Sequence, residues 1–152
     1  MMKIQEMLFQ SKNYTSINLS HYLRELAAEF KSSHRELVSK IELDVEESEY
    51  ELPTKTAIHL GLIITEIFIN SFKYAYPNTP DYKFTLKLKL TQQFIQLVIG
   101  DNGKGFDFEK NACKNSLGLP LIKDLSESLE SETVFPSPGN ANYIFTFSKH
   151  SL

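Results

Sequence analysis

A chain of 152 residues with 41% hydrophobic composition is long enough to bury a core and short enough for one domain to be the default. Its formal net charge of -3 argues against nucleic-acid binding, which needs a basic face, so an anionic ligand must be held locally by lysines such as Lys73, Lys104, Lys110 and Lys114. No apolar run approaches the roughly 20 residues of a membrane span, the start MMKIQEMLFQSKNY lacks signal-peptide grammar, and the lone Cys113 excludes an internal disulfide, so the expectation is a soluble, cytoplasmic chain with no direct membrane insertion.

In chain order, residues 1–17 read as a lead-in to a single domain over 18–152. Asn18 or Ser20 caps a helix through LSHYLRELAAEFKSSH, in which Leu19, Leu23, Leu26, Ala27 and Phe30 share one side. LVSKIELDVEES alternates imperfectly and predicts a strand. Pro53 suits the first turn of a helix over roughly residues 54–76, where its missing donor costs nothing, and Pro77 with PNTPD ends it. FTLKLKL and FIQLVIG make a hairpin, with Phe84, Leu86, Leu88 and Leu90 alternating in its first arm. DNGKGFDFEKNACKNS is loop-like, LGLPLIKDLSESL restarts a helix with Pro120 in its first turn, and YIFTFSK closes the chain as a strand after PSPGNAN. This order predicts an α+β fold: a two-layer α/β sandwich whose mixed, mostly antiparallel sheet is covered on one face by helices.

Three stretches carry chemistry. In LIITEIFINSFKYAYP the polar Glu66, Asn70 and Lys73 fall at i, i+4 and i+7 of an otherwise apolar helix, which stacks them on one face. A solvent-facing stripe is the plain alternative. Asparagine, however, is a poor helix former that gains nothing on an ordinary surface, whereas its carbonyl is a good ligand for a hard cation such as Mg²⁺. A carboxylate one turn earlier can take a proton, and an ammonium later can neutralise phosphate. DNGKGF, directly after a strand, brings Gly103 and Gly105 close to Gly100, so that a ligand can approach bare backbone; a tight Asn-Gly turn is the competing reading, weakened because no strand returns after it. Asp101 at the strand's mouth can accept a hydrogen bond from an exocyclic amine. SLGLPLI places Gly118 at a helix start, where unsatisfied backbone donors suit phosphate, although a loop-to-helix junction needs no ligand.

These stretches resemble, in order and spacing, the N box and the two glycine boxes of the histidine-kinase ATPase domains, in the superfamily that includes the gyrase, mismatch-repair and heat-shock chaperone ATPases. QEMLFQSKNYTSINLSHYLREL is similar to the linker after the dimerisation helices in the second histidine-kinase subfamily, which has a short ATP lid, so the resemblance covers nearly the whole chain. It implies a Bergerat-type ATPase fold that binds ATP and Mg²⁺ and transfers the γ-phosphoryl group to a histidine on a dimerisation domain, with a response regulator downstream. By the same resemblance Glu66 assists phosphoryl transfer, Asn70 coordinates Mg²⁺, Lys73 and Tyr74 lie near the phosphates and the nucleotide, and Asp101 binds the adenine amine. Gly103 and Gly105 shape the pocket wall, Gly118 and Leu119 lie beneath the phosphates, Lys104, Ser116 and Leu117 complete the nucleotide-binding set, and residues 106–116 form a mobile lid.

The sequence also departs from the family. Ser116 and Lys114 stand where longer-lid relatives carry further glycines, and Ala141 stands where a final-strand threonine often supports the adenine site. No segment matches a phosphoacceptor helix: His34-Arg35 lacks the following asparagine, and His21, His34, His59 and His150 read as surface or packing residues. The expectation is a domain cut from a longer kinase, or a truncated relative, and a monomer by itself. An anti-sigma-type serine kinase and a nucleotide-binding regulatory module without catalysis are the alternative readings.

Overall fold

The computed structural model describes residues 15–113 and 118–149. The chain runs β1 (Ser16–Asn18), α1 (Leu19–Ser33), β2 (Ile41–Val45), β3 (Glu51–Pro53), α2 (Thr54–Asn70), β4 (Phe84–Leu90), β5 (Phe94–Asp101), α3 (Phe108–Ala112), α4 (Gly118–Ser128), β6 (Glu132–Val134) and β7 (Asn142–Ser148). Five strands form one sheet in the order β2-β4-β5-β7-β6, with β2 and β4 parallel and every other pair antiparallel. β1 and β3 make a separate two-stranded ribbon.

Side chains alternate across a strand with period two, and the register aligns the apolar sets. Leu86 opposes Ile99, and Ile99 opposes Tyr143; Leu88 opposes Leu97, and Leu97 opposes Phe145. All six are buried. The other face of the same strands carries Thr85, Lys87, Lys89, Gln96 and Thr146. Onto the apolar face pack Leu23, Leu26 and Phe30 of α1 and Leu60, Ile64, Ile67 and Phe68 of α2. Phe30 stacks on Phe68 at 4.1 Å between ring centroids, and both meet Phe84 edge-on, so one ring cluster ties the two helices to β4. The result is the two-layer architecture that the order of elements predicts, with a mixed, mainly antiparallel sheet.

Several local expectations resolve or change. Asn18 is the cap of α1: its Oδ1 accepts from the His21 N–H at 2.8 Å while its Nδ2 donates to the Ser48 carbonyl at 2.7 Å. Ser20 instead donates to the Glu46 carbonyl. The strand expected from Leu37 occupies only Ile41–Val45, because Arg35–Leu37 close a 3-10 turn. Pro53 ends β3 and stands at the N-cap position of α2. The helix expected to residue 76 leaves α geometry after Asn70, where Ser71–Ala75 form a π turn followed by a 3-10 turn over Tyr76–Asn78. The expected loop contains α3, which Asp107 caps by accepting from the Lys110 N–H at 3.0 Å. His34 packs edge-on against Phe68 and Phe72, a packing histidine as expected. The boundary anticipated between residues 17 and 18 falls inside β1; residues 1–14 of the lead-in lie outside the described residues. Among the described residues no helix is long and apolar enough to cross a membrane.

Candidate functional site

The π turn decides which side chains meet at the site. The Tyr76 N–H reaches back to the Ser71 carbonyl, five residues earlier, so this turn holds one residue more than an α turn. An α-helical ridge through Glu66 and Asn70 would continue to Lys73; with the extra residue, Tyr74 and Ala75 face the same space as Asn70 and Ser71, and Lys73 is exposed outside it. That space is a cavity of about 520 Å³ between the end of α2, the end of β5 with its glycine loop, and the start of α4.

At its base lies Asp101, the last residue of β5, only 8% exposed. One carboxylate oxygen, Oδ2, accepts from Ser71 Oγ at 2.5 Å, and the other, Oδ1, accepts from the Gly103 N–H at 2.8 Å. Ser71 Oγ in turn lies 2.6 Å from the Tyr82 hydroxyl. Burial pushes the Tyr82 phenol up to about 12, and the negative charge of Asp101 adds to the shift. Tyr143, which lines the cavity, is raised first by burial and then by the same charge. Asp101 is thus surrounded by groups that stay neutral and hold their protons. A carboxylate is acceptor-only and has lone pairs to spare after two bonds, so it can take an N–H from a ligand in the cavity.

Two turns form the wall. Gly105 has φ +74, which favours glycine, and a side chain there would run into the Ser137 carbonyl and the Asn140 backbone. The Gly139 N–H donates to the Lys104 carbonyl at 2.7 Å and closes the same contact. At Gly103 a Cβ would come within 2.7 Å of Asp101 Oδ1, so the bare backbone is what lets its N–H reach the carboxylate. Lys104 lies at the rim, the single lysine or arginine lining the cavity among the described residues. Phe108 anchors the stretch beyond: it is 1% exposed, stacked on Phe135 at 4.4 Å and edge-on to Tyr143. Of the lid expected over residues 106–116, the first part is fastened to the core through Phe108, and residues 114–116 lie outside the described residues.

At the other end, α4 brings Gly118 against α2. A Cβ on Gly118 would lie 2.9 Å from Glu66 Oε2 and 3.4 Å from Asn70 Nδ2, so the carboxylate and the amide converge on the head of this helix. Of the residues singled out in the sequence, Asn70, Tyr74, Asp101, Gly103, Lys104, Gly105 and Leu119 line the cavity. Glu66 and Gly118 adjoin it through Asn70, Lys73 is turned away, and Ser116 and Leu117 lie outside the described residues. Sequence reasoning passed over Ser71, Tyr82 and Asn111; the signal available was a serine set in an apolar run beside Asn70. Among the described residues no group of three or more His, Cys, Asp or Glu side chains could hold a metal. The Asn70 amide beside the Glu66 carboxylate is a sparse oxygen set, and it fits Mg²⁺, which keeps several waters and shares its shell with phosphate.

A sequence profile described as the histidine kinase-like ATPase domain matches residues 17–141. No match was found among curated proteins. Among solved structures, the chain is similar to the histidine kinase domain of the Erythrobacter litoralis EL346 blue-light activated histidine kinase, with TM-score 0.72 and 19% identity, covering 94% of this chain and 72% of that one. Against a longer chain of that kinase the TM-score is 0.68 at 18% identity, covering 90% of this chain and 44% of the other. The catalytic domain of histidine kinase ThkA aligns with TM-score 0.69 and 12% identity, covering 89% of this chain and 95% of that domain. These structural likenesses establish the fold.

Proposed function

Since the chain belongs to the histidine kinase-like ATPase domain family, we propose that it binds Mg·ATP in this cavity and delivers the γ-phosphoryl group to a histidine on a dimerisation domain outside the chain, for onward passage to a response regulator. The observation that carries the reading is the pairing of two ends of one cavity: a buried N–H acceptor, Asp101, at the base, and Glu66 with Asn70 at the head of α4. Asp101 takes the amine of adenine. Tyr74, 70% exposed at the mouth, offers its ring to the nucleotide, and the bare backbone of Gly103 and Gly105 forms the wall.

The first N–H groups of α4, from Gly118 and Leu119 onward, lack partners within the helix and point their partial positive charge at the phosphates. Lys104 adds charge at the rim, with Lys73 nearby on the surface. Asn70 would hold Mg²⁺ through its amide oxygen, and the ion, when bound, would supply charge neutralisation for the phosphates. Glu66, beside it, takes a proton from the incoming nucleophile or orients it. Phosphoryl transfer depends mostly on positioning and electrostatics, so this modest equipment suffices. The imperfect second glycine box supports the short-lid subfamily, and a cytoplasmic monomer is the expected form of the isolated domain.

Mixing the chain with a separately produced dimerisation domain and γ-labelled ATP tests the proposal. Label that appears on the partner, disappears in acid and requires Mg²⁺ is expected. Acid-stable label would point to a serine kinase instead, and nucleotide binding without transfer under any condition would leave a regulatory module.

A further inference from the structure

We infer that Ser71 and Tyr82 are positioning residues that set the purine selectivity of the site by aiming the Asp101 carboxylate; the inference rests on the nucleotide reading above. Three polar side chains stand in a row in the core side of the cavity: Tyr82 is 2% exposed, Ser71 6% and Asp101 8%. Their oxygens are linked at 2.6 Å and 2.5 Å.

The direction of the protons in this row follows from what each group can give. A carboxylate has no proton to donate, so the contact with Asp101 Oδ2 must use the Ser71 hydroxyl proton. Ser71 has only one, and its oxygen is then left to accept from Tyr82, whose phenol burial keeps protonated. If Ser71 turned its proton to Tyr82, two oxygen lone pairs would face each other at 2.5 Å. The row therefore runs one way, from Tyr82 through Ser71 to Asp101. With the Gly103 N–H on Oδ1, the carboxylate is held at both oxygens and cannot rotate about its own axis. What it still offers the cavity is lone pairs alone.

Such a group accepts the 6-amino hydrogens of adenine and repels a 6-oxo group in the same place. A free carboxylate could turn to present a different edge; a pinned one cannot do so without breaking a buried bond. Ala141, which also lines the cavity, has no polar side-chain atom to offer the base. Adjacent residues of a helix diverge by about 100°, so the end of α2 presents Asn70 toward the head of α4 and, one residue later, Ser71 toward the base of the cavity.

The test compares affinities for ATP, inosine triphosphate and purine-riboside triphosphate, which lacks the 6-amino group, by titration calorimetry. Wild type should prefer ATP to both analogues. Ser71→Ala should weaken ATP about tenfold, the equivalent of one charge-assisted hydrogen bond at about 1.4 kcal/mol, while purine-riboside triphosphate shifts by no more than about twofold on the same scale. Ser71→Thr should restore the preference. Tyr82→Phe keeps the ring and its packing, and should narrow the preference by about threefold through loss of the polarising partner; it decides the matter if Ser71→Ala fails to fold. An equal loss for all three nucleotides, or an unchanged ATP preference in the folded variants, overturns the inference and leaves ATP binding standing. A wild-type protein that binds no nucleotide overturns both.

Discussion

Replacing Gly118 with alanine should separate catalysis from stability. The new methyl would sit 2.9 Å from Glu66 Oε2 and 3.4 Å from Asn70 Nδ2. Both are tips of half-buried side chains rather than backbone, so relief comes from swinging Glu66 aside, an off-rotamer cost of about 0.5–1.5 kcal/mol. Against that, alanine restricts the unfolded chain more than glycine does and contributes about 0.4–1 kcal/mol. The terms nearly cancel, and a net change below about 1 kcal/mol moves Tm by no more than about 4 °C in a chain of this size. Phosphoryl transfer should suffer far more, because misplacing a reacting group by about 1 Å costs on the order of 100-fold in rate. Thermal unfolding by circular dichroism, ATP affinity by calorimetry and transfer of labelled phosphate to the dimerisation domain measure the three quantities separately. A folded G118A variant transferring at the wild-type rate would refute the placement of Glu66 at the head of α4. A drop in Tm of about 10 °C or more would equally show that the contact is not confined to flexible side-chain tips.

Phe108→Ala removes a ring stacked at 4.4 Å on Phe135 and should cost about 3–5 kcal/mol in urea unfolding, with Phe108→Leu recovering most of it. Asn18→Ala breaks both the cap to His21 and the tie to Ser48, and a loss of about 1–2 kcal/mol is expected in the same measurement. Alkaline pH should unfold the protein: Tyr22 and Tyr82 are raised to about 12 by burial, above their unfolded value of 10.0, so the folded state keeps protons that the unfolded state releases. That stability is present in full below the unfolded value and is lost as pH rises through 10 toward 12, at about 1.4 kcal/mol per pH unit for each tyrosine. Tyr82→Phe should remove one tyrosine's share of this slope, read from unfolding midpoints between those limits.

The long elements were legible because their periodicity extends over many residues. Alternation in FTLKLKL and the apolar face of LSHYLRELAAEF each commit a whole strand or helix to one side of the core, and the register of β4 with β5 follows. Three-residue strands such as β1, β3 and β6 hold too few positions to show any period; long-range pairing alone makes them strands. α3 was hidden for a similar reason, since five residues cannot display a helical face, although the Asp107 cap was written in the sequence. At the site, residue types disclosed Asp101 and the glycines, because a carboxylate at a strand mouth beside clustered glycine has few other uses. Lys73 went astray for a geometric cause: a projection at constant helical pitch cannot foresee an added residue in the turn after Asn70. Ser71 escaped notice for another reason, since its role depends on Tyr82 and Asp101, respectively 11 and 30 residues farther along the chain.

That wide turn also makes the end of α2 intolerant of changes in length. Each residue of an α-helix advances the chain by about 100°, so deleting one residue from Ser71–Ala75 would let the backbone wind regularly yet rotate everything that follows. Tyr82 would miss its partner and the connection to β4 would have to be rebuilt. Insertions and deletions in relatives should therefore collect in the connection between β4 and β5 or ahead of α4, while the spacing from Glu66 to Tyr82 is held by the architecture itself.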